Sequence, residues 1–103
     1  MVRRLTTATL ESKGTTCHLC ELEGADSADH NPPRADLLAA GVLYPDQLAY
    51  LWPAHRLCNI RRKRRPITLE LRYELRARRL EDLRVARATA AVLRSSRFEG
   101  RGA

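Results

Sequence analysis

Two pairs of metal-type ligands, Cys17-x-x-Cys20 and His55-x-x-Cys58, constrain this chain more than anything else in its sequence. Two residues between ligands let both side chains converge on one tetrahedral ion at the mouth of a tight turn. Three thiols and one imidazole suit a structural Zn²⁺ and leave no open position for chemistry. These are all 3 cysteines of the chain, and an odd number cannot close completely into internal disulfides. With no apolar N-terminal stretch resembling a secretory signal, the expectation is a reducing, cytoplasmic setting with the thiols on metal. Two readings of the fragments stay open at this level. Cys-x-x-Cys alone also serves as a redox pair, although in βαβ surroundings that are not signalled here, and His18 could take one ligand position.

A staple is what a chain of this size needs. Its 103 residues leave room for one domain, and aromatics make up only 5%, so the hydrophobic core is expected to be thin. No apolar run approaches membrane-spanning length. The charge, +7 overall, is unevenly placed. Residues 1–52 hold four Lys/Arg against seven Asp/Glu, and residues 53–103 hold fifteen against five. A mildly acidic half joined to a strongly basic one suits a polyanion held by one part and worked on by the other. The unbroken run Arg61-Arg62-Lys63-Arg64-Arg65 reads as a clamp on phosphate backbone, because contiguous arginines track charge and not base edges.

Along the chain, residues 1–13 read as a short helix or arm ending at Gly14. Residues 15–30 read as the Cys-x-x-Cys knuckle, a turn at Gly24 and a segment reaching Asp29-His30. Asn31-Pro32-Pro33 excludes a central strand or helix interior. Residues 31–54 are expected to form a long loop with short helical turns at Leu37-Leu38 and Leu48 to Leu51, and Trp52 is expected as a core plug beside the metal in preference to a platform for stacking bases. A helix is expected from Ala54 to about Arg65, broken by Pro66. A longer one follows, with Thr68 as N-cap and Leu71, Leu75, Leu80 and Leu83 as its stripe, running to about Ser95 before a frayed tail at 100–103. The expected division is 1–66 for the metal-stapled domain and 67–103 for a helical extension and tail.

The order Cys17-x-x-Cys20, Ala28-Asp29-His30, then Pro53-Ala54-His55-Arg56-Leu57-Cys58-Asn59 resembles the HNH endonuclease family in its zinc-knuckle, phage-type form. The likeness covers about residues 15–65. It implies a small α+β fold: a ββα-metal domain of treble-clef type, extended here by a long C-terminal helix. It also implies DNA as the partner and phosphodiester cleavage or nicking, with little sequence preference. On this resemblance His30 is the general base, an imidazole titrating near working pH. Asp29 and Asn59 are the oxygen ligands of a catalytic Mg²⁺, Mn²⁺ or other divalent ion. A setting in phage or bacterial host follows, with a larger phage or packaging protein as a partner for the last helix.

Two positions depart from the family pattern. The family's middle Asn has no counterpart, the nearest residues being Gln47 and Tyr50. Where many members place a second His one turn after Asn59, this chain has Lys63, which suits a phosphate better than a cation. Taken alone, Asn59 also suits a helix-start cap. The competing expectation is a catalytically inactive zinc module that binds DNA or a protein through its basic half.

Overall fold

The computed structural model describes residues 3–102, with side chains described through residue 95. The first helix, α1 (Arg3–Lys13), stops where glycine permits it: Gly14 adopts φ 88° and returns its N–H to the Leu10 carbonyl at 3.0 Å. Such a left-handed residue is the usual way to satisfy the last carbonyls of a helix. The knuckle follows, then β1 (Ser27–His30), which pairs antiparallel with β2 (Leu51–Ala54) in a two-stranded sheet. The register sets Ser27 against Ala54, Ala28 against Pro53, Asp29 against Trp52 and His30 against Leu51. A proline is tolerated here because each strand of a pair is an edge.

Between the strands, the prolines keep β1 from continuing, and α2 (Arg34–Ala39) starts directly after Pro33. A 3-10 turn over Leu48–Tyr50 then leads into β2. Residues 51–54 are therefore strand, not the end of a loop. Four residues are too short to show a period of two, and their pairing with β1 defines them. Trp52 is not a core plug. It is 39% exposed, and the Lys13 ammonium stands 3.9 Å above its ring, a cation–π contact tying the end of α1 to β2. Lys13 Nζ also donates to the Leu51 carbonyl at 2.6 Å.

The next helix, α3 (Arg56–Arg62), begins two residues later than expected because Ala54 belongs to β2 and His55 is extended at φ −70°, ψ 136°. Its first free N–H, that of Arg56, is capped at 2.9 Å by the Asp26 carboxylate, thirty residues earlier in the chain. Asn59 lies inside the helix and caps nothing. The last helix, α4 (Leu69–Gly102), starts as expected, with the Thr68 hydroxyl accepting the Leu71 N–H at 3.1 Å. It ends later than expected, including residues 100–102. A lone glycine costs a helix about 1 kcal/mol and does not by itself end one. Ala103 is outside the described residues.

The core is one cluster: Cys17, Leu19, Cys20, Ala25, Ala54, Cys58, Leu71 and Leu75. The first two turns of α4 thus close over the cysteines and the sheet. Beyond them the cover of the leucine stripe thins, Leu80 being 50% exposed and Leu83 half-buried. At about 1.5 Å per residue the 34 residues of α4 span about 51 Å, most of the 65 Å long dimension of the molecule. Among the described residues no helix is long and apolar enough to cross a membrane.

Candidate metal centre and adjoining cleft

Cys17, Cys20, His55 and Cys58 are brought together as expected. All four are buried, and their ligand atoms lie within 4.8 Å of one another. Thiolates about 2.3 Å from a tetrahedral Zn²⁺ would be about 3.8 Å apart, so the group could hold a structural zinc with small side-chain adjustments. The imidazole is already set for it. His55 Nε2 lies 2.9 Å from the Glu23 carbonyl, which only accepts, so that nitrogen carries the proton and Nδ1 keeps its lone pair. Nδ1 faces the sulfurs, 3.3 Å from Cys20 Sγ and 3.7 Å from Cys58 Sγ. Gly24 makes this possible by turning the chain at φ 95°, and a methyl group there would sit 3.5 Å from His55 Nε2.

The thiols crowd one another electrostatically. Cys17 is pushed down to about 4, chiefly because the Cys58 thiol donates to it, while Cys58 is raised by the same contact and Cys20 by burial. Crowded thiols in a buried site share their remaining protons, because three neighbouring thiolates repel one another until a positive ion joins them. His18, which might have replaced a ligand, turns away from the cluster. Its Nε2 is 2.9 Å from Asp29 Oδ2, so the knuckle is physically joined to β1.

Asp29, His30 and Asn59 line one shallow cleft of about 280 Å³, together with Arg62, Lys63 and Arg64. Asp29 and His30 part company as strand neighbours do. Asp29 is 7% exposed and accepts two bonds on Oδ2, from His18 and from Arg62 Nη1 at 2.8 Å. Its Oδ1 and the Asn59 amide have no hydrogen bond among the described residues. His30 turns instead to Asp46, its Nε2 lying 2.8 Å from Oδ1, an atom that Arg34 Nε also holds at 3.1 Å. Arg34 and His30 together keep the Asp46 carboxyl below its usual range. An ionised carboxylate can only accept, so His30 Nε2 is the nitrogen that donates, and Nδ1 has no hydrogen bond among the described residues.

Asp46 is a site residue that the sequence does not announce. It is a single carboxylate in a loop, sixteen positions from His30, with no motif around it. Neither candidate for the middle motif position hydrogen-bonds the His30 ring among the described residues: the Tyr50 carbonyl accepts the Asn31 N–H at 2.9 Å, and the Gln47 amide turns to the Tyr44 carbonyl.

The basic run is used in a way its sequence does not suggest. Arg62 is 2% exposed and is the largest fully buried side chain. Besides Asp29 it reaches the Arg65 carbonyl at 2.9 Å. Arg61 grips Asp82 of α4 in two bonds of 2.8 and 3.1 Å, and Arg65 holds Glu74 at 2.7 Å. These three arginines join α3 to β1 and α4. Arg64 makes only an exposed pair with Asp36, and Lys63 pairs with no side chain among the described residues. Comparison of the chain with protein-family models, curated proteins and solved structures returned no match.

Proposed function

We propose that this chain is a metal-dependent endonuclease of the HNH type that cuts or nicks DNA, with β1, β2 and α3 as a ββα-metal unit around a structural zinc. The observation that carries the reading is the convergence of Asp29, His30 and Asn59 on one cation-rimmed cleft, with α3 anchored by the neighbouring Cys/His group. Hydrolysis of a phosphodiester needs a base for water and positive charge at the phosphate. His30 Nδ1 takes the proton of the attacking water. Asp46, behind the ring, fixes the tautomer and stabilises the imidazolium that forms, as a third group does in other base-assisted hydrolases.

Asp29 Oδ1 and the Asn59 amide oxygen make a two-ligand oxygen set, which Mg²⁺ accepts when water and phosphate complete its shell. Such an ion supplies charge stabilisation at the scissile phosphate and the departing oxygen. Arg62 and His18 hold Oδ2, so Asp29 is presented by one oxygen. Lys63 and Arg64 at the rim attract the backbone without reading bases.

A second reading, a catalytically inactive zinc module that binds DNA, is favoured by one contact. The buried Arg62 guanidinium already neutralises Asp29, which lowers the carboxylate's pull on a divalent ion. Supercoiled plasmid incubated with zinc-loaded protein and Mg²⁺, Mn²⁺ or Ni²⁺ separates the two. The nuclease converts it to nicked or linear forms, and His30→Ala slows this by about 10²–10⁴-fold. Undiminished cleavage by His30→Ala removes the assigned base. Binding without cleavage under every metal establishes the inactive module.

A further inference from the structure

A second cleft, of about 230 Å³, opens where the end of α3 meets α4, and its walls carry Arg61, Lys63, Arg65 and Arg78 against a single acid, Glu74. Its charges are unequal in availability. Arg61 and Arg65 are held by Asp82 and Glu74, whereas neither Lys63 nor Arg78 makes a hydrogen bond or ion pair among the described residues, Arg78 acting on Glu74 and Asp82 only through space. Both are exposed. Lys63 also borders the cleft of Asp29, His30 and Asn59, so one ammonium stands on the wall between the two.

The backbone of Lys63 is unusual as well. It adopts φ 58°, ψ −122° at the C-terminus of α3, a conformation that suits glycine and strains other residues. Strain of this kind persists where the surroundings over-determine it. Here α3 is held on both sides of Lys63 by the paired arginines 61, 62 and 65, and the chain must reverse at once towards Pro66 and α4. A glycine would serve that turn better, yet the position carries a long cation aimed from the rim shared by two clefts.

We propose that Lys63 and Arg78 form a phosphate-binding subsite for the DNA backbone beside the scissile bond, which makes α4 part of the substrate surface and not only a support. The inference rests on the nuclease reading and deepens it. Arg61 and Arg65, neutralised by their own acids, shape the subsite and leave its binding charge to Lys63 and Arg78. A strand crossing the first cleft passes Lys63 and enters the second.

The test is duplex binding followed by fluorescence anisotropy, with zinc-loaded protein and no other divalent cation added, over a range of salt. Each lost phosphate contact lowers the slope of log K against log salt by about one, which at about 0.1 M corresponds to about eightfold weaker binding. Lys63→Gly and Arg78→Ala should each show this, Lys63→Arg should not, and the double variant should show both losses. Lys63→Gly should also melt no lower than wild type, since glycine relieves the backbone; a structural role would lower it. Arg87→Ala removes the same charge nine residues further along α4 and should change the affinity less than Arg78→Ala. Equal losses from Arg78 and Arg87 would overturn the subsite in favour of diffuse attraction, and so would unchanged binding by Lys63→Gly and Arg78→Ala. Failure of the wild type to bind duplex is a different result and removes the nuclease reading with it.

Discussion

Asp46 illustrates how much at this site depends on one atom pair. Its Oδ1, 2.8 Å from His30 Nε2, sets which imidazole nitrogen donates and, on the nuclease reading, which one is left to act as the base. Removing it leaves His30 free to rotate and to adopt the other tautomer. On the nuclease reading, Asp46→Ala should slow plasmid cleavage by about 10–100-fold, less than His30→Ala, because base chemistry would survive without its orientation. Single-turnover rates on a labelled duplex measure this, and an unchanged rate would show that Asp46 does not act through His30. Asp29 is a different kind of residue. Two donors grip its Oδ2, so it is fixed from behind by the Cys17–Cys20 knuckle, through His18, and by α3, through Arg62.

At the scale of elements, the joint between α3 and α4 combines apolar packing of Leu71 and Leu75 with the Arg61–Asp82 and Arg65–Glu74 pairs. Hydrogen bonds from Arg61 and Arg65 hold Asp82 and Glu74 below their ordinary values of 3.8 and 4.5. A carboxylate depressed in the folded state stabilises the fold above its ordinary value, and the contribution is lost as pH falls through the depressed one. Asp82→Asn should therefore lower stability by about 1 kcal/mol or less near neutral pH. The difference in melting temperature from wild type should stay level down to about pH 5 and shrink below about pH 4. A gap that instead closes between about pH 6 and 8 would mean that a group other than Asp82 governs the joint.

For the whole molecule, the core is small enough that a staple is expected. Among the described residues its fully buried large side chains are three leucines, three cysteines, a threonine and an arginine, and the cysteines belong to the core cluster. Metal binding in such a domain is largely folding free energy, about 10–16 kcal/mol for comparable small zinc sites. A strong chelator should abolish the cooperative melting transition and much of the helical circular dichroism, with about one zinc released per chain. Elemental analysis and a colorimetric zinc assay check the stoichiometry. Retention of a sharp transition in the metal-free protein would show that apolar packing alone suffices. The distal part of α4, where Val92 is 66% exposed, should lose its helix first on heating, since it has little tertiary cover.

Much of this was open to a reader of the sequence. The two ligand pairs, the start of α4 at Thr68 and the stop of α1 at Gly14 depend on short-range chemistry: ligand spacing, a hydroxyl cap and a permissive φ. Each is decided by a few neighbouring residues, so the residues declare it. The long-range pairings are not of that kind. That His30 meets Asp46, that Asp29 lies against His18 and Arg62, and that 51–54 is a strand all depend on which distant segments share a surface. So does the fate of the basic run. Five adjacent cations look alike on paper, and only the helix geometry and the acids of α4 and β1 decide that Arg61, Arg62 and Arg65 become internal bolts. What the sequence settled by itself was the donor set at the centre. Tertiary structure decided which charges remain free beside it, because a charge is spent or available according to what stands within about 3 Å of it.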